Sequence, residues 1–325
     1  MAYIATIARP TPRTGVYDLY WRFAAGRQAA FWARQRGHPQ PWTDDPILQR
    51  FKFCNVYRAA DRVSQYLIRD VIYNGEGVAP DDLAFQIVAF RTFSNIETWE
   101  GLRAELRGAP TLADLKSGAF LRALEAVKRR NGGLYTGAFI LCANKAYGFD
   151  AKHQNHNALW EDMFVKNDAA RRIRGANSLE QVVAFLQSFP LMGPFMAYQT
   201  AIDLNYSELI NFSENDYTQA GPGALRGIAK CFEDTGSYTP ADIIMMMTDT
   251  QEREFERLGL VFEPLTAGTN RRWLQAIDCQ NVFCETDKYC REAAPQLASN
   301  RMRIKSKFSP QANVPPLFLP PKWAR

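Results

Sequence analysis

Three stretches of the sequence combine residue types that could grip a phosphate or move a proton. The first reads Phe189-Pro190-Leu191-Met192-Gly193-Pro194-Phe195-Met196-Ala197, the second Asn215-Asp216-Tyr217, and the third Gly221-Pro222-Gly223-Ala224-Leu225-Arg226-Gly227-Ile228. A tight glycine turn that opens a helix bares backbone N–H groups at the positive end of the helix dipole, which holds a phosphate without reading base sequence. Gly193 with Pro194, and Gly221 with Gly223, are therefore candidate contacts to a DNA backbone, and Asp216 lies between the two turns. A carboxylate there would stabilise positive charge at a reacting carbon or accept a proton from an incoming nucleophile. The competing reading makes both turns ordinary helix starts with proline in the first turn, and Asp216 an Asx cap. Asp203 and Glu214 are nearby alternatives to Asp216.

A fourth stretch follows Pro46, where Asn55, Arg58, Asp61, Arg62 and Arg69 interleave with Phe51, Phe53, Val56 and Tyr57. Read as one long helix over residues 46–73, it sets Arg58, Arg62 and Arg69 on or near one face. Guanidinium forks in a row hold a DNA backbone or a pyrophosphate in bidentate fashion. The polar set Asn55, Arg58, Asp61 and Arg62 then forms a site wall. The alternative is a solvated helix face on which Asp61 and Asp70 compensate the cations locally. No Gly-x-x-x-x-Gly-Lys-Ser/Thr loop, no Gly-x-Ser-x-Gly elbow and no dinucleotide fingerprint after a strand occurs.

These residues must be carried by helices. Helical periodicity or start and stop signals fit residues 17–36, 81–93, 98–106, 112–128, 157–172, 178–189, 194–204, 222–232, 240–258 and 272–291, with Asn131-Gly132-Gly133 as a stop. Alternating strand patterns are scarce, so the expected fold is all-α. At 325 residues and 46% apolar content the chain can bury a large core. It reads as a single helical unit that could divide into two packed lobes, residues 14–175 and 176–308, with a proline-rich extended tail over 309–325. A net charge of +5 means that nucleic-acid affinity must come from clustered cations. Neither a leader nor an apolar run of membrane length is evident, which predicts an intracellular protein without a membrane partner. Cys279, Cys284 and Cys290 cluster on a helical segment without a fourth ligand, and His38, His153 and His156 are too few and too separated for a zinc set, so neither a metal nor a cofactor is expected.

Leu191-Met192-Gly193-Pro194-Phe195-Met196-Ala197 followed by Asp216 resembles the helix-hairpin-helix plus Asp signature of the DNA glycosylase superfamily. A wider series consists of Pro41-Trp42-Thr43, Asp45-Pro46-Ile47-Leu48, Phe53-Cys54-Asn55-Val56-Tyr57-Arg58, Asp61-Arg62-Val63-Ser64, Phe90-Arg91-Thr92-Phe93, Thr98-Trp99, Tyr135-Thr136-Gly137-Ala138, Gly221-Pro222-Gly223-Ala224 and Asp278-Cys279-Gln280-Asn281. It resembles the glycosylase-like family of thymine hypermodification in phage DNA, known as alpha-glutamyl/putrescinyl thymine pyrophosphorylase, as amino acid:DNA transferase and as the helical domain of 5-hydroxymethyluracil DNA kinase. The resemblance implies a helix-hairpin-helix glycosylase-like fold and an enzyme that transfers an amine, an amino acid or polyamine, to pyrophosphorylated 5-hydroxymethyluracil in DNA with release of pyrophosphate. It makes Asp216 the catalytic carboxylate, with Asn55, Arg58, Arg62, Arg226 and Lys230 near the leaving pyrophosphate or backbone, and Trp42, Tyr57 and Tyr217 as stacking partners of a flipped base. A separate 5-hydroxymethyluracil DNA kinase is the implied partner. Excision of a modified pyrimidine, and non-catalytic DNA binding beside that kinase, are the alternatives. The hairpin carries no lysine, so Schiff-base lyase chemistry is not expected.

Overall fold

A computed structural model describes residues 8–75, 77–136, 145–297, 301–309 and 314–325. Gly137 and Ala138 of the quoted motif, and Cys142, lie outside the described residues. Among the described residues the chain is mostly helical, with two short antiparallel ribbons, Thr11–Pro12 with Phe232–Asp234 and Leu265–Ala267 with Asn270–Arg272. Its contacts divide it into two units, one of Met1–Asp61, Tyr217–Leu317 and Trp323–Arg325, the other of Arg62–Asp216 and Phe318–Lys322. The units divide at 61/62, 216/217, 317/318 and 322/323, whereas the sequence suggested a division after residue 175. Among the described residues no helix is long and apolar enough to cross a membrane.

The first unit is built on helices Val16–Gln35, Pro222–Cys231, Pro240–Arg257 and Ala276–Ala293. Local chemistry fixes their starts: Thr239 and Asp242 form a reciprocal capping box, as do Gln275 and Asp278. The Pro222–Cys231 helix lies very close to Ala276–Ala293. A Cβ at Gly223 would strike the Cys284 thiol, and one at Gly227 would collide with the Phe283 carbonyl oxygen. Both glycines thus serve close helix approach.

The second unit packs its helices around Pro80–Phe93, in which every residue from Ala84 to Phe93 is buried. A helix enclosed on all sides carries few polar groups, and each needs a partner. Arg91 meets that need by an ion pair with Asp203 on helix Pro194–Leu204, both side chains almost fully enclosed. Leaving Asp203 without its cation is expected to cost about 3–5 kcal/mol, so Arg91→Met should unfold this unit at much lower urea. The R91M/D203L double variant should regain a large part of the loss, because it removes both charges from the core; equal losses in the single and double variants would sink this reading.

Several helices are shorter than their periodicity suggests. Residues 112–128 divide into Leu112–Lys116 and Ala119–Asn131 at Gly118, whose φ is 71°. Residues 157–172 lie in Lys152–Trp160, a wider π-type turn Glu161–Lys166, and Ala169–Arg174 after Asp168 at φ 49°. The tail is pinned, with the Lys322 ammonium donating to the carbonyls of Ser207 and Ile210 at 2.7 Å, but Pro321–Ala324 forms a 3-10 turn instead of continuing extended.

The largest departure concerns residues 46–73. The helix ends at Arg50, a bridge pairs Phe51 with Lys307, Arg58–Ala60 is a single 3-10 turn, and helix resumes only at Arg62–Tyr66, widening into the π-type Leu67–Ile72. The face on which Arg58, Arg62 and Arg69 were expected to align does not exist. Arg58 is buried, Arg62 is exposed, and Arg69 pairs with its neighbour Asp70.

Candidate functional site

What replaces the helix at residues 51–61 is a loop whose backbone groups are taken by side chains. The N–H of Cys54 donates to Glu285 Oε2 at 3.0 Å, that of Asn55 to Asp61 Oδ1 at 2.7 Å, and that of Arg58 to Asp278 Oδ1 at 2.8 Å. The Asn281 amide donates to the Asn55 carbonyl at 2.9 Å, the Asn55 amide to the Ala60 carbonyl at 2.7 Å, and Arg27 Nε to the Cys54 carbonyl at 3.1 Å. A second Arg27 nitrogen donates to Asn55 Oδ1. With the N–H groups of Cys54, Asn55 and Arg58 and the carbonyls of Cys54, Asn55 and Ala60 taken in this way, the i to i−4 bonding of a helix loses its partners at these positions. Asp278, Asn281 and Glu285 stand at i, i+3 and i+7 of Ala276–Ala293, hence on one face. Two motifs more than 200 residues apart thereby meet inside the first unit.

The cluster holds three carboxylates, Asp61, Asp278 and Glu285, with Arg27, Arg58 and Lys288 close by. Burial pushes the Asp61 carboxyl up, the Asn55 N–H and Arg27 pull it back, and Glu285 raises it again, leaving it at about 6. Such a group changes charge near neutrality and can take or give a proton. Arg27 also lines a pocket of about 400 Å³ with Arg34, Gln40, Trp42, Thr43, Phe51, Phe53 and Phe308. Four aromatic side chains and two arginines are among its lining residues, and no carboxylate is among the described residues that line it. That combination suits a flat ring with a negative substituent.

The remaining residues named from sequence are dispersed. Trp42 lines the pocket, half-buried, with its indole N–H on the His38 carbonyl at 2.7 Å and the Arg34 guanidinium 5.3 Å from its ring centre. Tyr57 is enclosed, its hydroxyl donating to the Arg272 carbonyl at 2.6 Å and its ring against Phe262, so no face is open for a base. Arg226 and Lys230, expected near a pyrophosphate, are engaged by buried Asp287, Arg226 Nε at 3.1 Å and the Lys230 ammonium at 3.0 Å. Burial would raise the Asp287 carboxyl, but Arg291 and Lys230 hold it below its ordinary range. Tyr217 is half-buried. In the second unit Gly193 and Pro194 are exposed at the start of Pro194–Leu204, after a turn in which Leu191 takes φ 72°. Asp216 is exposed in a turn, its N–H on the Ser213 carbonyl at 3.3 Å.

The Cys279, Cys284 and Cys290 thiols are raised by burial, to about 12, 12 and 11. Arg27 and Glu285 were not singled out from sequence; Asp61 was named there in the polar site wall, and Asp278 and Asn281 appeared only within the family motif series. The polar stripe at 278, 281 and 285 was the available signal.

A 5-hmdU DNA kinase of Bacillus phage SP10 is 28% identical over 301 residues, covering 86% of this chain and 46% of that protein. The chain thus spans about half the length of this curated relative. No solved structure matches it. The model of the family described as "5-hmdU DNA kinase, helical domain" matches residues 14–299, both halves of the clamped loop included, and the chain belongs to that family.

Proposed function

We propose that this chain acts on 5-hydroxymethyluracil in DNA, in its pyrophosphorylated form, and joins an amine to the exocyclic carbon. The carbon–oxygen bond to pyrophosphate breaks, pyrophosphate leaves with the electron pair, and the amine nitrogen bonds to carbon and gives up a proton. Asp61 accepts that proton in this reading, and Asp216, on the other unit, is the alternative carboxylate for this chemistry. The observation that carries it is the meeting of Asn55, Arg58 and Asp61 with Asp278, Asn281 and Glu285 beside a cationic aromatic pocket. The family supports the substrate class.

The test incubates the protein with DNA containing pyrophosphorylated 5-hydroxymethyluracil and a mixture of amino acids and polyamines, then digests to nucleosides and weighs them. An amine adduct is expected. Release of free base without added amine would point to the glycosylase alternative, and neither product from any substrate would sink both. A second reading is favoured by the match to a helical-domain family and by an alignment that covers only 46% of the phage kinase: DNA presentation to a kinase acting beside it. It requires that the chain stimulate phosphorylation of 5-hydroxymethyluracil DNA by a separate kinase, and that Asp61→Asn leave this stimulation intact.

A further inference from the structure

Residues 301–307 read Arg-Met-Arg-Ile-Lys-Ser-Lys, with a cation at every second position. Arg301, Arg303, Lys305 and Lys307 are exposed, while Ile304 between them is buried. The segment is fastened beside residues 50–52, since the Lys52 N–H donates to the Ser306 carbonyl and the Phe308 N–H to the Arg50 carbonyl, both at 3.0 Å. Arg50 and Lys52 are themselves exposed. Six exposed cations therefore lie on two paired segments of the first unit, and no carboxylate interrupts residues 50–53 or 301–309. Arg303, Lys305 and Lys307 enter no ion pair among the described residues. The same segments supply Phe51, Phe53 and Phe308 to the cationic aromatic pocket.

A row of like charges costs self-repulsion unless a polyanion covers it. Alternate residues of an extended chain share a side and repeat at roughly 6.6 Å, close to the spacing of phosphates along one strand. Aromatic rings at the end of a cationic track are how proteins hold a strand with an unstacked base. We infer that residues 301–307, with Arg50 and Lys52, form the track for a DNA backbone that leads to the pocket lined by Trp42, Phe51, Phe53 and Phe308. This rests on the reading that DNA is the substrate, and it locates the grip on a segment other than the two glycine turns.

The test measures fluorescence anisotropy of labelled, unmodified DNA across a salt series, without amine or turnover. R303Q/K305Q/K307Q should bind about 10-fold more weakly or worse at roughly 0.1 M salt, with the slope of log affinity against log salt reduced by about 2–3. K116Q/R122Q, on the other unit, should leave both unchanged. Circular dichroism and thermal melting show whether the triple variant folds; if it does not, Lys52→Gln and Lys305→Gln should each reduce the slope by about 1. Unchanged affinity and slope in the folded strip variants overturn the inference. Failure of amine transfer with the salt effect intact would overturn the proposed reaction and leave the track standing.

Discussion

Asp61→Asn should lower the rate of amine transfer by about 10²–10⁴-fold, the range for loss of a positioned proton acceptor, with the fold unchanged. The isosteric amide keeps an oxygen for the Asn55 N–H, so the 51–61 loop stays clamped. What disappears is a carboxylate that burial and Glu285 hold at about 6 against the pull of Asn55 and Arg27. In the native protein the rate should rise with pH through about 6 as Asp61 ionises, and this limb should vanish in the variant. The stability effect runs the other way. A carboxyl whose folded value lies above its ordinary value of 3.8 destabilises the fold as pH rises between 3.8 and about 6, so Asp61→Asn should be relatively more stable at pH 7 than at pH 4. A variant with native rate and an unchanged acid limb would reduce Asp61 to a loop anchor. Asp216→Asn, made separately, reports on the exposed turn, and whichever substitution removes the limb identifies the proton acceptor.

Gly227→Ala should destabilise the first unit by about 3 kcal/mol or more, seen as a lower urea midpoint and a lower melting temperature. The added methyl would collide with the Phe283 carbonyl oxygen and lie 2.7 Å from its carbon, and backbone of a packed helix cannot rotate away. Relief requires Pro222–Cys231 and Ala276–Ala293 to separate. That movement would disturb Asp278, Asn281 and Glu285, whose helix holds the clamped loop, so DNA binding and transfer should fall together with stability. At Gly223 the nearest atom is a side-chain sulfur, so Gly223→Ala combined with Cys284→Ala should be tolerated far better. Equal stability of Gly227→Ala and the native protein would show that the helices have room to spare.

The contrast between these glycines illustrates how a correct local reading can miss its cause. Gly221-Pro222-Gly223 does open a helix, as its composition requires, and Pro222 sits in the first turn. The glycine at 223 also permits close packing, a requirement set by Cys284 some sixty residues away. Arg226 and Lys230 illustrate the same limit. Their spacing marks one helix face, but only the fold brings Asp287 against that face and engages both cations.

By itself the sequence determined the helical class, most helix starts and stops, and the family series, because capping residues, proline, glycine and apolar periodicity act over a few residues. It also supplied Asn55, Arg58 and Asp61 as a polar set. Only the tertiary structure decided that this set lies on a loop. Local pattern favours a helix through residues 51–61, and the side chains of Asp278, Asn281, Glu285 and Arg27 outbid it by taking the backbone groups a helix would use. Those partners are distant in the chain, so no window of sequence contains both sides of the competition.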